Sequence, residues 1–379
     1  MPHWTNNLAI PSPCYVLEEA KLIDNLKLMQ YVQLQTGVDI ILALKGFSMW
    51  SCFDLISQYL QGGTASALWE AKLAKRIGKQ VHAFSPAFKS AEMPEIVQEV
   101  DHISFNSIAQ FLLHQDVCAK ANVSMGLRVN PEHQEADTPL YDPCAPGSRL
   151  GITAAQLKGQ DLTQIEGFHI HGLCECDSYA TERMLNAIET QFSQYFPKLK
   201  WLNLGGGHLI TKAGYDVEHL IRVLNNFTAK YPHLHVILEP GSAVAWQTGP
   251  LIAEIVDIVE NNGAIAILDI SVTAHMPDVL EMPYRPEIIG GASPGEKKHP
   301  YTRGGTTCLA GDVIGQWSFD QPLEIGERIV FTDMAHYSMV KTNHFNGIHH
   351  PAIGRYRPQS DAIIIDREFS YDDYRNRLS

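Results

Sequence analysis

The sequence predicts an α/β fold, a (β/α)8 TIM-like barrel followed by a C-terminal, mostly antiparallel β domain. Eight short, apolar, β-branched runs recur in the first two thirds of the chain, with amphipathic segments between them. Eight consecutive βα units are typical of a closed parallel barrel. Beyond about residue 245 strand-like runs continue without long helices, and a length of 379 residues accommodates a barrel and a smaller second domain.

The predicted barrel strands are spaced so that crossover helices fit between them. Amphipathic segments such as Leu68–Ile77 and Val217–Tyr231 are long enough to be such helices. A doubly wound open sheet is the main alternative for the same pattern. The strand candidates are Val38–Leu44, Thr64–Leu68, Gln80–Phe84, His102–Phe105, Ser124–Asn130, Gly167–His171, Trp201–Leu204 and Val236–Leu238.

The predicted domain boundary assigns residues 20–245 to the barrel and 246–379 to the β domain, which residues 1–19 are expected to join. Pro- and Gly-rich stretches separate the strand-like runs of the second domain, which favours antiparallel pairing. The stretch Tyr284–Thr306 is rich in Pro, Gly, Lys and Arg and is predicted to be a long surface loop. The strand candidates here are Ile252–Val259, Ile265–Ile270, Arg328–Asp333 and Ala362–Ile365.

Composition and charge narrow the functional classes. The hydrophobic fraction of 45% and the charged fraction of 19% are ordinary for a globular protein. A formal charge of −13 disfavours nucleic-acid binding, which needs a basic surface, and favours cationic small molecules. The seven cysteines have no metal-ligand spacing, and their odd number favours reduced thiols. Without a signal peptide or a run of about 18 apolar residues, a soluble cytoplasmic protein that does not contact membranes is expected.

Lys45 directly follows the first predicted barrel strand, in the segment ILALKGF. In barrel enzymes the chemistry lies where strands end and βα loops begin. One interpretation is a lysine that extends from the barrel mouth into solvent. The other is a lysine that forms a Schiff base, since desolvation makes the amine nucleophilic.

Two histidines alternate at the end of the sixth strand, in GFHIHGLCE. His169 and His171 are two residues apart, so their side chains lie on one face of the strand. They are interpreted as core histidines, as a zinc-binding pair, or as an imidazole that lies against a cofactor ring. Zinc hydrolases of the barrel type usually carry this pair on the first strand, where this chain has a lysine.

The seventh strand ends in three glycines, Gly205, Gly206 and Gly207, and the eighth ends in the segment ILEPG with Glu239 and Gly241. Successive glycines can present backbone N–H groups to an anion, although a plain turn has the same pattern. Barrels commonly bind phosphate in the loops after strands seven and eight. A carboxylate that follows a buried strand needs a partner, and a protonated pyridine nitrogen is one.

Together these residues meet the requirements of pyridoxal 5'-phosphate. The cofactor needs a lysine for its aldehyde, an anion cradle for its phosphate and an acidic partner for its ring nitrogen. Lys45, the glycine triplet and Glu239 supply the three from different strand ends. We therefore expect a pyridoxal-phosphate site at the mouth of the barrel.

The motifs resemble, in order, those of the alanine-racemase-like (fold type III) pyridoxal-phosphate decarboxylases, which include ornithine and diaminopimelate decarboxylases. The resemblance covers nearly the whole chain and is strongest to the branch that decarboxylates carboxynorspermidine or carboxyspermidine to norspermidine or spermidine. It rests first on ALKGF, LRVNP, SRLG, HIHGLCE, GGGH and LEPG, and in the second domain on TCLAGD, DMAHY and FNG. The segments typical of the branch are SALWEAK, GHLITKAGYD, AHMPDVLEMPYRP and REFSYDDY.

The resemblance implies a role for each barrel residue. Lys45 would carry the cofactor, His171 would stack on the pyridine ring, and Glu239 would pair with the ring nitrogen and contact the substrate. The phosphate would be held by Gly205, Gly206, Gly207, Gly241 and Tyr337.

The resemblance also implies a homodimer with shared active sites. Cys308 would donate the proton that replaces the lost carboxylate, which makes it catalytic together with Lys45 and His171. In such enzymes Cys308 and Asp312 enter the site of the partner subunit, where Asp312 would contact the substrate.

Two departures from related decarboxylases bear on the substrate. Ornithine and diaminopimelate decarboxylases have an arginine after EPG, where this chain has Ser242, and the latter have a glutamate after the cysteine, where it has Leu309. Loss of the arginine removes a bidentate clamp for a carboxylate, which favours a cationic, polyamine-type substrate. Asp278 lies in the segment His275–Pro283, interpreted as a solvated surface loop or, through the resemblance, as an anchor for the cationic tail.

Three alternatives remain open at this point. A decarboxylase of diaminopimelate or another basic amino acid would share the fold. A zinc-dependent barrel hydrolase would use His169 and His171. A non-catalytic carrier of pyridoxal phosphate would not need a second domain or Cys308.

Overall fold

The computed structural model describes residues 3–136 and 141–379. It divides into two compact units. One, the barrel unit, is Asp24–Val244. The other, the sheet unit, combines the residues up to Ile23 with Ala245–Ser379.

The barrel unit contains a parallel sheet that closes on itself. At one end of the strand order Asp39–Ile40 pairs with His235–Leu238, and at the other end Leu42–Ala43 pairs with Gly62–Ala65. Asp39–Ile40 and Leu42–Ala43 are separated only by Ile41, whose N–H donates to the Leu238 carbonyl at 2.9 Å. They are halves of one strand, so nine segments make eight strands, and the predicted barrel is confirmed while the open sheet is wrong. The segments are Asp39–Ile40, His235–Leu238, Trp201–Asn203, Gly167–His169, Ser124–Arg128, His102–Phe105, Gln80–Ser85, Gly62–Ala65 and Leu42–Ala43.

Helices connect these strands. The helix Val217–Lys230 begins at Asp216, whose carboxylate accepts the N–H of His219 at 2.8 Å, and it buries Leu220, Leu224 and Phe227 on one face. This is the amphipathic pattern of a barrel helix packed on a sheet. The α-helices are Glu19–Thr36, Phe53–Ile56, Leu68–Ala74, Met93–Glu99, Ile108–Lys120, Ala154–Leu157, Ser178–Phe192, Val217–Lys230 and Ser242–Ala245, with 3-10 turns at Trp50–Cys52, Lys75–Ile77 and Ser193–Lys198.

Trp201 fills part of the barrel core. Its indole N–H donates to Ser124 Oγ at 2.9 Å, and its ring lies against Gly167, where an added Cβ would come within 1.9 Å of Cδ2. The neighbouring strand has Gly126 at the same ring. Two glycines on adjacent strands therefore make room for one large side chain.

The sheet unit contains an eight-stranded sheet in which most neighbouring strands are antiparallel. Two pairs are parallel, Cys14–Glu18 with Ala352–Arg357 and Ala264–Leu268 with His299–Gly304. The predicted mostly antiparallel domain is confirmed. The strands are Cys14–Glu18, Leu251–Glu260, Ala264–Leu268, His299–Gly304, Val313–Phe319, Arg328–Phe331, Ala352–Arg357 and Ala362–Arg367; the helices are Val272–His275, Asp278–Glu281, Tyr337–Val340 and Tyr371–Arg375, with 3-10 turns at His3–Asn6 and Phe345–Gly347.

Two local predictions in the sheet unit are wrong. Tyr284–Thr306 is not a surface loop throughout, because His299–Gly304 is a strand in which Arg303 is fully buried. Pro300 and the flanking glycines hide this strand in the sequence, yet Pro300 occupies a regular register position opposite Ser318. The segment around Asp278 is not a solvated loop either, because Asp278 begins a short helix and is only 8% exposed.

No disulfide joins the seven cysteines, all of which are free thiols in the described residues. Among the helices of residues 3–136 and 141–379, none has the length and apolar character to cross a membrane.

Candidate active site

A pocket opens at the carboxyl ends of the barrel strands. It brings together three residues that the sequence predicted for a cofactor site, Lys45, His171 and Glu239. The strand ends place them there, because the carboxyl ends of parallel strands share one end of a barrel. The full lining is Ala43, Lys45, Thr64, Ala65, Ser66, Phe84, Arg128, His169, His171 and Glu239.

Lys45 stands in the turn that follows the first barrel strand. Its side chain is exposed to the pocket, but the surrounding protein and then the Arg128 charge lower the pKa of its amine below the ordinary lysine value. A lowered pKa increases the fraction of unprotonated, nucleophilic amine at neutral pH. In the same turn Gly46 packs on Gly241, where a Cβ on Gly46 would meet the Gly241 Cα at 2.7 Å. The two glycines therefore let the loops after the first and last strands meet.

Glu239 lies buried at the end of the last barrel strand. Its Oε1 accepts a hydrogen bond from Asn203 Nδ2 at 2.5 Å, and its Oε2 lies 3.6 Å from His169 Nε2. Burial raises the pKa of this carboxyl group, while the Asn203 amide and the Lys45 charge act in the opposite direction. Nε2 of His169 has no hydrogen-bond partner among the described groups. A cationic nitrogen in the pocket would find an acceptor in Glu239.

The glycine triplet forms the turn beside His171. Gly205 and Gly207 have φ values of +67° and +90°, which favour glycine, and a Cβ on Gly205 would come within 2.4 Å of the Ile170 carbonyl oxygen. The Gly205 N–H donates to Asn203 Oδ1 at 2.8 Å, and the Gly206 N–H donates to His171 Nδ1 at 2.9 Å. Of the three amides, that of Gly207 alone makes no hydrogen bond to the described residues, so it is the one available to an anion.

His171 is held as a neutral imidazole with a defined tautomer. Burial and the Lys45 charge lower its pKa well below the ordinary histidine value. Since Nδ1 accepts the Gly206 N–H, the ring proton is on Nε2. A neutral imidazole held through Nδ1 is compatible with a contact to a cofactor ring. That contact stays a prediction.

Arg128 is a pocket residue that the sequence analysis did not identify. Arg128 is only 4% exposed, and its guanidinium donates to the His171 carbonyl at 2.8 Å and lies 4.5 Å from the Phe84 ring centre. Burial lowers its pKa to about 10. The sequence signal was present, since LRVNP places an arginine at the end of a barrel strand.

Cys308 and Asp312 lie in the loop between His299–Gly304 and Val313–Phe319 of the sheet unit. Cys308 is exposed. Asp312 is 3% exposed, and its carboxylate accepts hydrogen bonds from Ser271 Oγ, the Val272 N–H, and both the N–H and Oγ1 of Thr307. These hydrogen bonds hold the loop that carries Cys308, and the contact of Asp312 with the substrate stays a prediction.

Asp278 and Tyr337 also belong to the sheet unit. Oδ2 of Asp278 accepts hydrogen bonds from Tyr284 OH and Ser338 Oγ, both at 2.8 Å. Its Oδ1 is buried and has no hydrogen-bond partner in the part of the chain that the structure describes. Tyr337 is half-buried, with the Lys341 amine 5.6 Å from its ring centre. An unpaired buried carboxylate oxygen is the kind of acceptor that a cationic ligand requires.

The pocket fits pyridoxal phosphate in three respects. It has one exposed amine of lowered pKa on Lys45 and one buried carboxylate on Glu239, and a glycine turn too tight for any Cβ lies directly beside its lining residue His171. The zinc alternative needs a third ligand beside His169 and His171. No group of three histidine, cysteine or carboxylate side chains in residues 3–136 and 141–379 is placed to hold a metal ion.

Comparisons with known proteins agree with this geometry. A model of the family described as "Pyridoxal-dependent decarboxylase, C-terminal sheet domain" matches residues 14–335. A carboxyaminopropylagmatine decarboxylase of Synechocystis is 48% identical over 98% of this chain and 96% of the relative. A carboxynorspermidine/carboxyspermidine decarboxylase of Campylobacter jejuni is 46% identical over 96% of this chain and 98% of the relative.

A solved structure shows the same fold over nearly the whole chain. It is the carboxynorspermidine decarboxylase of Campylobacter jejuni complexed with norspermidine, with a TM-score of 0.91, 44% identity, and coverage of 97% of this chain and 100% of that one. The predicted enzyme class, a carboxy-lyase, is confirmed by these relatives, and the zinc-hydrolase and carrier alternatives are wrong. The chain belongs to the pyridoxal-dependent decarboxylase family.

Proposed function

We propose that the protein binds pyridoxal 5'-phosphate at the barrel mouth and decarboxylates carboxynorspermidine or carboxyspermidine to norspermidine or spermidine. The observation that carries the proposal is the meeting of Lys45 and Glu239 in one pocket, in a chain 46% identical to a decarboxylase named for these substrates. Free thiols and the absence of a disulfide in the described residues are in keeping with a cytoplasmic location.

Different residues of the barrel would bind different parts of the cofactor. Lys45 would bind its aldehyde, Glu239 its ring nitrogen and the Gly207 N–H its phosphate, with His171 against the ring. Gly205, Gly206 and Gly241 would keep Cβ atoms out of the turn, and Tyr337 would add a phosphate contact. When bound, the cofactor supplies an electron sink for the electron pair that carbon dioxide leaves behind.

Cys308 is proposed as the proton donor that completes the reaction, acting in the site of a partner subunit. Its side chain is exposed, and the neighbouring apolar residues Leu309 and Val313 are each 45% exposed. Exposed apolar groups beside a reactive thiol are what a subunit interface would cover. We therefore propose a homodimer in which the Asp312-anchored loop presents Cys308 to the partner.

Asp278 is proposed as the anchor for the distal cation of the substrate. Its unpaired Oδ1 is the acceptor, because Oδ2 is already engaged by Tyr284 and Ser338. An ammonium group needs one such oxygen, whereas a guanidinium binds best to both oxygens of a carboxylate. The site therefore favours an amine-ended substrate.

A second candidate substrate is carboxyaminopropylagmatine, which ends in a guanidinium. The specific observation in its favour is the 48% identity to the Synechocystis decarboxylase named for it. Diaminopimelate and other basic amino acids remain a third possibility within the same fold, disfavoured by Ser242 in place of an arginine.

Carbon dioxide release tests these candidates directly. The cofactor-loaded protein is assayed with carboxynorspermidine, carboxyspermidine, carboxyaminopropylagmatine, meso-diaminopimelate and ornithine. We expect the highest kcat/KM with one of the first two. A higher kcat/KM with diaminopimelate or ornithine would contradict the proposal, and a higher value with carboxyaminopropylagmatine would select the second candidate.

Replacing Asp278 tests the anchor. A charge-assisted hydrogen bond contributes about 1.5–3 kcal/mol, so Asp278→Asn should lower kcat/KM for carboxynorspermidine by roughly one to two orders of magnitude. The matched control is Glu281→Gln in the same short helix, where the glutamate is largely exposed. Cofactor affinity should not change in either variant. Equal kcat/KM for Asp278→Asn and the wild type would refute the anchor.

A further inference from the structure

Asn203 is a buried amide whose orientation is fixed by its neighbours. It ends the strand Trp201–Asn203 and is 1% exposed. Its Oδ1 accepts the Gly205 N–H at 2.8 Å, and a backbone N–H can only donate. The other end of the amide, Nδ2, must therefore be the group that lies 2.5 Å from Glu239 Oε1. Asn203 thus requires Oε1 of Glu239 to be an acceptor.

The environment on the other side of Asn203 agrees with this orientation. His82 Nδ1 lies 3.5 Å from the same Nδ2, at the long limit of a hydrogen bond. His82 Nε2 lies 3.2 Å from Gln80 Oε1, and the Gln80 amide donates to the Asp39 carboxylate at 2.8 Å. Because the Asp39 carboxylate only accepts, Gln80 Nε2 must face it and Gln80 Oε1 must face His82. Oε1 is an acceptor, so the proton of His82 is on Nε2 and a lone pair is on Nδ1. Both hydrogens of the Asn203 amide then face acceptors.

We propose that Asn203 is a positioning residue that holds Glu239 ionised, with Oε2 left to pair with the protonated ring nitrogen of pyridoxal phosphate. This inference rests on the proposed function. It goes beyond the sequence-derived roles, none of which includes Asn203. The Asn203 amide reaches the cofactor only through Glu239.

Opposing effects set the pKa of Glu239, and the hydrogen bond from Asn203 favours the ionised form. Burial alone raises the pKa of this buried carboxyl, and the Asn203 hydrogen bond is the first of the groups that lower it, ahead of Lys45, Thr64 and Arg128. His169 faces Oε2, but burial and the charges of Arg128 and Lys45 lower its pKa, so it contributes no positive charge. Without the Asn203 donor, Glu239 would take up a proton at a higher pH.

The test measures the protonation of the cofactor ring nitrogen and does not depend on turnover. Wild type, Asn203→Leu and the matched control Asn130→Leu are loaded with pyridoxal phosphate carrying 15N in the ring, and the 15N chemical shift is titrated with pH. Asn130 is a similarly buried asparagine two residues after the strand Ser124–Arg128, but its amide donates to the Leu150 carbonyl. Glu239→Gln serves as the reference for a ring nitrogen without a carboxylate partner.

We expect the ring nitrogen to be protonated at neutral pH in wild type and Asn130→Leu. In Asn203→Leu the pH at which it loses its proton should fall by about one unit or more, toward the value in Glu239→Gln. If Asn203 only held the Gly205 turn, Asn203→Leu would weaken cofactor affinity and leave the 15N titration unchanged, which would overturn the inference. Should Asn203→Leu fail to fold, Asn203→Ala is titrated with the same expected and contrary results.

Asn203→Asp adds a test of rescue. It keeps the acceptor for Gly205 and brings a second carboxyl to Glu239, so that the pair carries at least one negative charge at neutral pH. The ring nitrogen should therefore stay protonated, in contrast to Asn203→Leu, and loss of its proton here would contradict the inference. A wild type that binds no cofactor, or a Glu239→Gln titration equal to that of wild type, would instead refute the proposed function at this site.

Discussion

At the scale of single residues, the pocket places two positive charges together. Lys45 and Arg128 both line it, and the Arg128 charge lowers the pKa of Lys45 in addition to the effect of burial. Glu239 acts in the opposite direction. A lysine that must attack an aldehyde benefits from this arrangement, because only the neutral amine is a nucleophile. Arg128 therefore tunes the reactivity of Lys45 from the strand Ser124–Arg128, which is not a neighbour of the first barrel strand in the sheet.

Arg128→Gln tests this tuning. Loss of the charge should raise the pKa of Lys45, so that less neutral amine is present at neutral pH. The rate of cofactor incorporation, followed by the appearance of its visible absorption, should fall by about tenfold for each unit by which the pKa rises. The rate should recover as the pH is raised, because Lys45 then loses its proton.

The control for this prediction is Arg222→Gln, since Arg222 is an exposed arginine on the helix Val217–Lys230. Its rate–pH profile should match that of wild type. Superimposable profiles of Arg128→Gln and wild type would show that Arg128 does not act on Lys45.

The sequence predicted Lys45, His171 and Glu239 because each follows an apolar run that marks a strand end. It did not predict Arg128 or Asn203, because both fall inside the predicted runs Ser124–Asn130 and Trp201–Leu204, although each ends its strand in the structure. Their function depends on which strands are neighbours, and that information is not local. Asn203 meets Glu239 only because the last two barrel strands pair in parallel, with Asn203 opposite Ile237.

At the scale of elements, the buried carboxylate of Asp312 helps to hold the loop that carries Cys308, together with the backbone hydrogen bond from the Thr306 N–H to the Ile270 carbonyl. Asp312 accepts hydrogen bonds from the start of the helix Val272–His275 and from Thr307, one residue before Cys308. Buried donors that lose their acceptor are costly. The loop conformation therefore depends on Asp312 even though the cysteine itself is exposed.

Asp312→Ala should destabilise the sheet unit by about 1–3 kcal/mol for each buried donor left unsatisfied. The measurement is thermal unfolding, with hydrogen exchange at Thr306–Asp312 as a local readout. The control is Asp320→Ala, because Asp320 is 73% exposed and pairs with Lys297 at the surface, where ion pairs contribute little. Equal unfolding temperatures and equal exchange in the two variants would show that Asp312 does not hold the loop.

Local patterns predicted the barrel strands better than those of the sheet unit. Cys14–Glu18 pairs with Leu251–Glu260 and Ala352–Arg357, both more than two hundred residues away. A five-residue run near the start of the chain gives no sign of such partners. His299–Gly304 was hidden by its proline and glycine. Proline lacks a backbone N–H and is tolerated at sheet positions where no ladder N–H is needed.

At the scale of the whole molecule, the proposed dimer divides the reaction between two chains. Lys45 of one subunit would hold the cofactor while Cys308 of the other donates the proton. Mixing inactive Lys45→Ala with inactive Cys308→Ala subunits should therefore restore activity. Half of the dimers in an equal mixture are hybrids and each has one complete site of two, so about a quarter of the wild-type activity is expected.

Subunit exchange is verified separately, by native mass spectrometry of differently tagged chains. The same mixture of Lys45→Ala with His171→Ala is the matched control, because both changes lie in the barrel unit and no hybrid has a complete site. Proven exchange without recovery of activity would show that each chain builds its own site.

Reductive trapping of the cofactor tests directly whether the barrel mouth holds pyridoxal phosphate on Lys45. The loaded protein is treated with borohydride, which makes the bond between lysine and cofactor permanent, and is then digested and analysed by mass spectrometry. We predict a phosphopyridoxyl group on the peptide that contains Lys45, and none in Lys45→Ala. A label on another lysine, such as the exposed Lys72 of the helix Leu68–Ala74, with Lys45 unmodified, would contradict the proposed active site.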